Sequence, residues 1–375
     1  MSDRIREINR LGQAIWLDFI SRELLGGGDL RRMIDAGLTG MTSNPTIFQK
    51  SIATGHEYDR QIRELVHRGL KTPAIYEALA VEDVGRAADQ LRGVYNDTHG
   101  RDGYVSIEVS PKLAHDTAGT VAEGRRLFGA IGRPNVMIKV PATVEGLPAI
   151  TTLLSEGINV NVTLIFSIRM YEKVMEAHLA GLEKLVAARK PVGLVASVAS
   201  FFVSRVDSLV DKLLAAKAET TPEARALMGK AAIANARIAY SRFQDVFGSP
   251  RFAALRAAGA RVQRPLWAST STKNPEYPDT MYVDELIGPE TVNTVPPGTW
   301  AAIIDHGRPQ RTIDRDVDLA VAHVRRLGEL GIDMDQVTDQ LLREGVKSFA
   351  DSFEELLADL ERKRATIEQT VGAHS

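Results

Sequence analysis

The chain has 375 residues, with 46 Lys and Arg against 48 Asp and Glu, a formal net charge of −2, and no cysteine. That balance excludes a global positive field for nucleic acid or an anionic membrane. The missing thiols exclude disulfides, thiolate nucleophiles and Cys-ligated metal sites.

At 44% hydrophobic and 25% charged residues, the composition is that of a globular protein able to bury a large core without staples. The N-terminal segment MSDRIREINRLGQAIW lacks the apolar core of a secretory leader. The longest mostly apolar run, Val192 to Val203, is too short to cross a bilayer. A cytoplasmic protein with no membrane partner is therefore expected.

Eight short apolar runs follow one another along the chain: 14–20, 38–44, 104–109, 135–141, 158–166, 193–200, 265–270 and 291–296. Helix-like stretches separate them, among them Pro111 to Ile131 and Arg169 to Arg189. In the second, Met170, Val174, Ala177, Gly181 and Leu185 recur near helical spacing. Strand–helix alternation predicts parallel strands with crossover helices, and eight units predict an α/β fold of the (β/α)8 TIM-barrel class. The alternative, an open doubly wound sheet, lacks a Gly-rich phosphate fingerprint after its first strand. Residues 45–103 and 201–264 read as helical insertions, and a helical extension begins near 333. There Leu341, Gly345, Phe349, Phe353 and Leu357 form a predicted buried face. No Pro-, Gly- or Ser-rich linker divides the chain, so all 375 residues are assigned to one enlarged barrel domain.

Side chains alternate faces along a strand. Val105, Ile107 and Val109 oppose Ser106 and Glu108; Val136, Ile138 and Val140 oppose Met137 and Lys139; Val160, Val162 and Leu164 oppose Asn161 and Thr163. Trp16 shares a face with Asp18, Thr42 with Asn44, and Ser200 with Val198. The polar residues thus fall on one parity near the strand ends, where barrel active sites lie. Taken singly, each has a plainer reading. A strand-end Asp or Asn is more often a helix cap or turn residue. An interior salt bridge would account for Lys139 as well as chemistry does. Their coincidence favours chemistry. A desolvated lysine has a lowered pKa, and its neutral amine attacks a ketone to form a Schiff base. The imine is an electron sink for C–C cleavage, and Asp18 and Glu108 are the carboxylates available for proton transfer. Nothing in this chemistry needs a metal or an organic cofactor.

At these residues the sequence resembles the transaldolase family, in its longer bacterial branch. The segments are TSNPTIF (42–48), VMIKVPATVEGLPAI (136–150), GINVNVTLIFS (157–167), ASFFVSRVDS (199–208) and GVKSFADSFEELL (345–357). The resemblance runs from about residue 15 to about 360. It implies reversible transfer of a dihydroxyacetone unit from sedoheptulose 7-phosphate to glyceraldehyde 3-phosphate, giving erythrose 4-phosphate and fructose 6-phosphate. It further implies that Lys139 forms the Schiff base, Glu108 shuttles protons through a water held by Thr163, and Asp18 takes the C4 hydroxyl proton. Asn44 and Asn161 would hold the dihydroxyacetone hydroxyls, Ser200 would touch substrate near its phosphate end, and Arg205 would bind phosphate. The segment ASTSTKNP (268–275) departs from the family's Ser-x-Arg, and Lys273 is assigned the missing charge, with Ser269 and Ser271 beside it. Phe202 is read as a pocket wall or a core aromatic. His306 and Arg308 are weaker candidates for the active mouth, Trp267 is read as core, and Trp16 as packing beneath the site. The implied partners are small sugar phosphates, with homo-oligomerisation left open. Two other readings stand beside this one: an aldolase acting on fructose 6-phosphate, and a non-catalytic sugar-phosphate-binding barrel.

Overall fold

In the computed structural model, which describes residues 3–54, 56–218 and 220–372, eight parallel strands close into a barrel in chain order. They are β1 (Gln13–Asp18), β2 (Gly40–Thr42), β3 (Tyr104–Glu108), β4 (Val136–Pro141), β5 (Val160–Ile165), β6 (Ser197–Phe202), β7 (Arg264–Ala268) and β8 (Thr291–Val295). The register from Gln13↔Thr291 to Leu17↔Val295 closes the ring between β1 and β8. The expected (β/α)8 class is the observed one. Its outward parity is apolar and buried: Val105, Val136, Ile138, Val140, Val160 and Val162 have no exposed surface. This face packs under the helices, which is why parallel strands read as near-continuous apolar runs.

The strand boundaries differ from the sequence expectation by up to four residues, and two of these differences, with one in a helix, have a local cause. β2 stops at Thr42, because Pro45 opens the helix Pro45–Thr54 and Asn44 caps it, accepting from the Ile47 amide at 3.0 Å. β6 begins at Ser197 rather than 193. Residues 192–195 make a turn, with the Val195 amide donating to the Val192 carbonyl at 3.2 Å, and Leu194 is 69% exposed. The region 111–131 is a 3-10 turn, Pro111–Leu113, followed by a helix, Thr117–Ile131, whose first turn is capped by Asp116. The C-terminal helix Met334–Gly372 buries Leu341, Gly345, Phe349 and Phe353 as the four-residue spacing predicts. Beyond Phe353 the buried face passes to Leu356 and Leu360, leaving Leu357 half-buried. A period of 3.6 drifts against a spacing of four.

The N-terminal end of the barrel is sealed by a polar cluster. The Trp16 indole donates to Asp102 at 2.7 Å, and Arg264 pairs with the same carboxylate at 3.2 Å. Gly40 is required beside them: a Cβ there would lie 2.5–2.6 Å from three indole atoms of Trp16. Trp16 therefore packs inside the barrel below the site, as expected. Trp267 faces the other way, buried edge-on against Phe201 at 6.1 Å.

Candidate active site

The strand register sets the site. Glu108 pairs with Lys139 across β3–β4, Lys139 with Asn161 across β4–β5, Pro141 with Thr163, and Asp18 with Thr42 across β1–β2. Pairing in register sends these side chains to the same face of the sheet. Asp18, Asn44, Lys139, Thr163, Ser200, Arg205 and Lys273 line one cavity of about 300 Å3 at the C-terminal strand ends. Phe202 lines it too, so it is a wall of the pocket. Glu108 and Asn161 are absent from its lining, although Glu108 lies 3.6 Å from Lys139.

Lys139 and Glu108 are each 5% exposed at the side chain, with Nζ 3.6 Å from Oε2. Nζ also donates to the Ser43 carbonyl at 3.2 Å and lies 5.7 Å from the centre of the Phe349 ring. Burial pushes the Glu108 carboxyl up from 4.5 to about 7; the Lys139 charge opposes that shift and the Asp18 charge adds to it. Asp18 is also pushed up by burial, against the pull of Lys139 and of the Thr42 hydroxyl, which donates to it at 2.7 Å. Glu108 so disposed can hold or release a proton near neutrality, and burial shifts Asp18 in the same direction. Glu108 Oε2 and Thr163 Oγ1 are buried without a hydrogen-bond partner among the described residues, so both are available to a reacting water or hydroxyl.

β5 carries the strain of this end. Its register with β6 shifts between Val162 and Ile165, and Leu164 adopts a φ of +60°. A bulge beside an active site re-aims the neighbouring side chain, here Thr163. The helix Met334–Gly372 sits on this bulge at Gly345, where a Cβ would lie 2.9 Å from Leu164 Cδ2.

Asn161 is fully buried and does not line the cavity. Its amide donates to Ser106 Oγ at 3.0 Å, and its carbonyl accepts from Ser200 Oγ at 2.7 Å. Asn44 uses its carbonyl oxygen as the helix cap, so its amide nitrogen is the group left to donate to a ligand.

At the cavity's far side, Arg205 sits 5.5 Å above the Phe202 ring and Lys273 donates to Ser271 Oγ at 2.8 Å. Lys273 is pushed down by burial and then by the charges of Arg205 and Lys50. Lys50 lines the same cavity from the Pro45–Thr54 helix. Three cations around one cavity wall give it a positive potential, the kind that attracts an anion.

Sequence reasoning missed Lys50, Phe349 as a cavity wall, and the Ser43 carbonyl under Lys139. Lys50 carries no local signal, because a lysine on an amphipathic helix is ordinarily solvated. His306 and Arg308 are not part of the cavity lining. His306 pairs with Asp279 and Asp305, at 2.7 and 2.9 Å, and Arg308 with Asp284 at 3.3 Å. Their carboxylate partners account for both. Among the described residues, no helix is long and apolar enough to cross a membrane.

Known proteins resemble this chain over most of its length. A family model described as transaldolase/fructose-6-phosphate aldolase matches residues 15–360. A transaldolase of Thermobifida fusca is 51% identical over 359 residues, covering 95% of this chain and 97% of the relative. Transaldolase 1 of Streptomyces coelicolor is 50% identical over 349 residues, covering 92% and 91%. A matched span that runs from within β1 past β8, with relatives near half identity over nearly their whole length, settles the ancestry: the chain belongs to the transaldolase/fructose-6-phosphate aldolase family.

Proposed function

We propose that this enzyme is a transaldolase. It moves a dihydroxyacetone unit reversibly from sedoheptulose 7-phosphate to glyceraldehyde 3-phosphate, through a Schiff base on Lys139. One observation carries the proposal: an amine 5% exposed stands 3.6 Å from an equally buried carboxyl, in a cavity shared with a second carboxylate. Non-catalytic binding of a sugar phosphate has no use for a buried amine.

Lys139 Nζ attacks C2 of the ketose. Glu108, poised near neutrality, gives the proton with which the C2 oxygen leaves as water, and takes one when water returns. Thr163 orients that water. Asp18 removes the C4 hydroxyl proton as C3–C4 breaks, with the iminium accepting the electron pair, and returns it during addition to the acceptor. Asn44 donates to the dihydroxyacetone hydroxyls. Asn161 acts with Ser200, which it holds at 2.7 Å. Arg205 and Lys273 hold the phosphate, with Ser269 and Ser271 lining the same wall.

The test is a coupled assay of fructose 6-phosphate turnover with and without erythrose 4-phosphate. Turnover that requires the acceptor supports transfer. Release of free dihydroxyacetone at a comparable rate without an acceptor would make the protein an aldolase instead.

A further inference from the structure

The Lys139–Glu108 pair stands between two cavities. Lys139 lines the sugar pocket, while Glu108, 3.6 Å away, lines a second cavity of about 340 Å3. The partition is thin. Asn44 and Thr46 line the first cavity and Pro45 the second. On the C-terminal helix, Phe349 lines the first, and Phe353, one turn further, lines the second.

The second cavity leads outward between the helices Thr72–Gln90 and Thr117–Ile131. Near Glu108 its walls include Ile107, Ala80 and Leu127. Further along, Glu123 accepts from the Ser110 amide at 3.1 Å and pairs with Arg126 at 3.4 Å. Arg126 also pairs with Glu77, and its own side chain is 50% exposed. The lining of this one cavity thus runs from the buried Glu108 carboxyl to the half-exposed Arg126, on the side away from the sugar. Tyr76, on the same wall, is pushed up by burial and by the charges of Glu108, Glu123 and Glu77, so its hydroxyl stays protonated among them.

Imine chemistry makes a demand that this layout meets. When Nζ adds to C2, the carbonyl oxygen becomes a hydroxyl, accepts a proton and departs as water while C2=N forms. Hydrolysis consumes one water and returns the proton. Between these events the sugar pocket keeps the three-carbon unit bound, releases the cleaved aldehyde and then takes in the acceptor. Water entering from that side would have to pass the substrate.

We propose that the second cavity is a solvent port, through which water and protons pass between bulk and Glu108 while the sugar pocket stays filled. The proposal rests on the Schiff-base reading above. Its rival is a trapped water, released on imine formation and reused in hydrolysis.

The experiment uses fructose 6-phosphate labelled with 18O at C2, erythrose 4-phosphate as acceptor, and unlabelled water. The C2 oxygen of the sedoheptulose 7-phosphate product is read by mass spectrometry at early times, corrected for exchange without enzyme. The wild-type product is expected to have lost the label. Filling the cavity with Ala80→Phe is expected to lower kcat by roughly three- to tenfold, about 0.6–1.4 kcal/mol, with KM little changed and label retained in the product. If that variant does not fold, Leu357→Trp, from a half-buried position on the C-terminal helix, serves with the same expected outcomes. Unchanged kcat and unchanged label loss in a folded, filled variant would overturn the port. So would label retained by wild type that still gives a borohydride-trapped Lys139 adduct. Retained label with no adduct would instead overturn the Schiff base.

Discussion

Replacing Lys139 with Met removes a charge from a site holding two buried carboxyls while keeping most of the side-chain volume. Glu108 in the folded protein sits at about 7, against an ordinary value of 4.5, with Lys139 already restraining the rise. A folded value above the unfolded one means that the native state loses stability as pH rises from about 4.5 towards 7. In the wild type that loss levels off above 7, because Glu108 is then ionised in both states. Without Lys139 the folded value climbs further and Glu108 keeps its proton, so the loss continues. The linkage is one proton, about 1.4 kcal/mol per pH unit. Lys139→Met should therefore stay folded at pH 6, and its stability deficit relative to wild type should grow by roughly 1–2 kcal/mol between pH 6 and pH 8. Asp18, which Lys139 also pulls down, changes in the same direction. Urea denaturation at the two pH values measures the difference. A deficit that is constant, or that shrinks as pH rises, would refute the coupling of Lys139 to these carboxyls.

Glu108→Gln should cut kcat by about 10²–10⁴ and remove the ionisation near 7 from the kcat–pH profile, as read by steady-state kinetics. Lys273→Ala should raise KM for phosphorylated acceptors by roughly tenfold, the size of one charged hydrogen bond, and leave KM for unphosphorylated glyceraldehyde unchanged; equal effects on both would remove Lys273 from the phosphate site. Gly40→Ala places a Cβ 2.5–2.6 Å from the indole of fully buried Trp16, which is tethered to Asp102. It should destabilise the fold by about 1–3 kcal/mol or more, and an unchanged urea midpoint would contradict that packing.

The barrel and the centre of its site were legible because strand parity is a local property. Lys139 interrupts an apolar strand on the face opposite Ile138 and Val140, and Glu108 and Asn161 take the same face by the same rule. The resemblance to known transaldolases added roles that parity alone could not assign. What lay beyond reach depends on contacts between distant segments. Phe349 was visible as one residue of a buried helical face, but the chain offers no sign that this face covers a lysine more than 200 positions earlier. Lys50 becomes a pocket cation only once its helix is docked. Asn44 has the sequence position of a cap or a ligand contact, and in the fold it is a cap that also lines the cavity. The β6 boundary failed because an exposed turn bearing Leu194 looks, in composition alone, like the start of a strand. Asn161 lies behind Ser200, whose hydroxyl donates to it across β5–β6, a contact between strands that the spacing within neither strand announces.

The central claim is that the buried amine of Lys139 becomes an imine. Incubation with fructose 6-phosphate and borohydride, followed by peptide mass spectrometry, tests it most directly. A reduced three-carbon or six-carbon adduct on the peptide containing Lys139, absent without the sugar, is the expected result. No adduct, or an adduct confined to another lysine such as Lys50 or Lys273, would contradict the account.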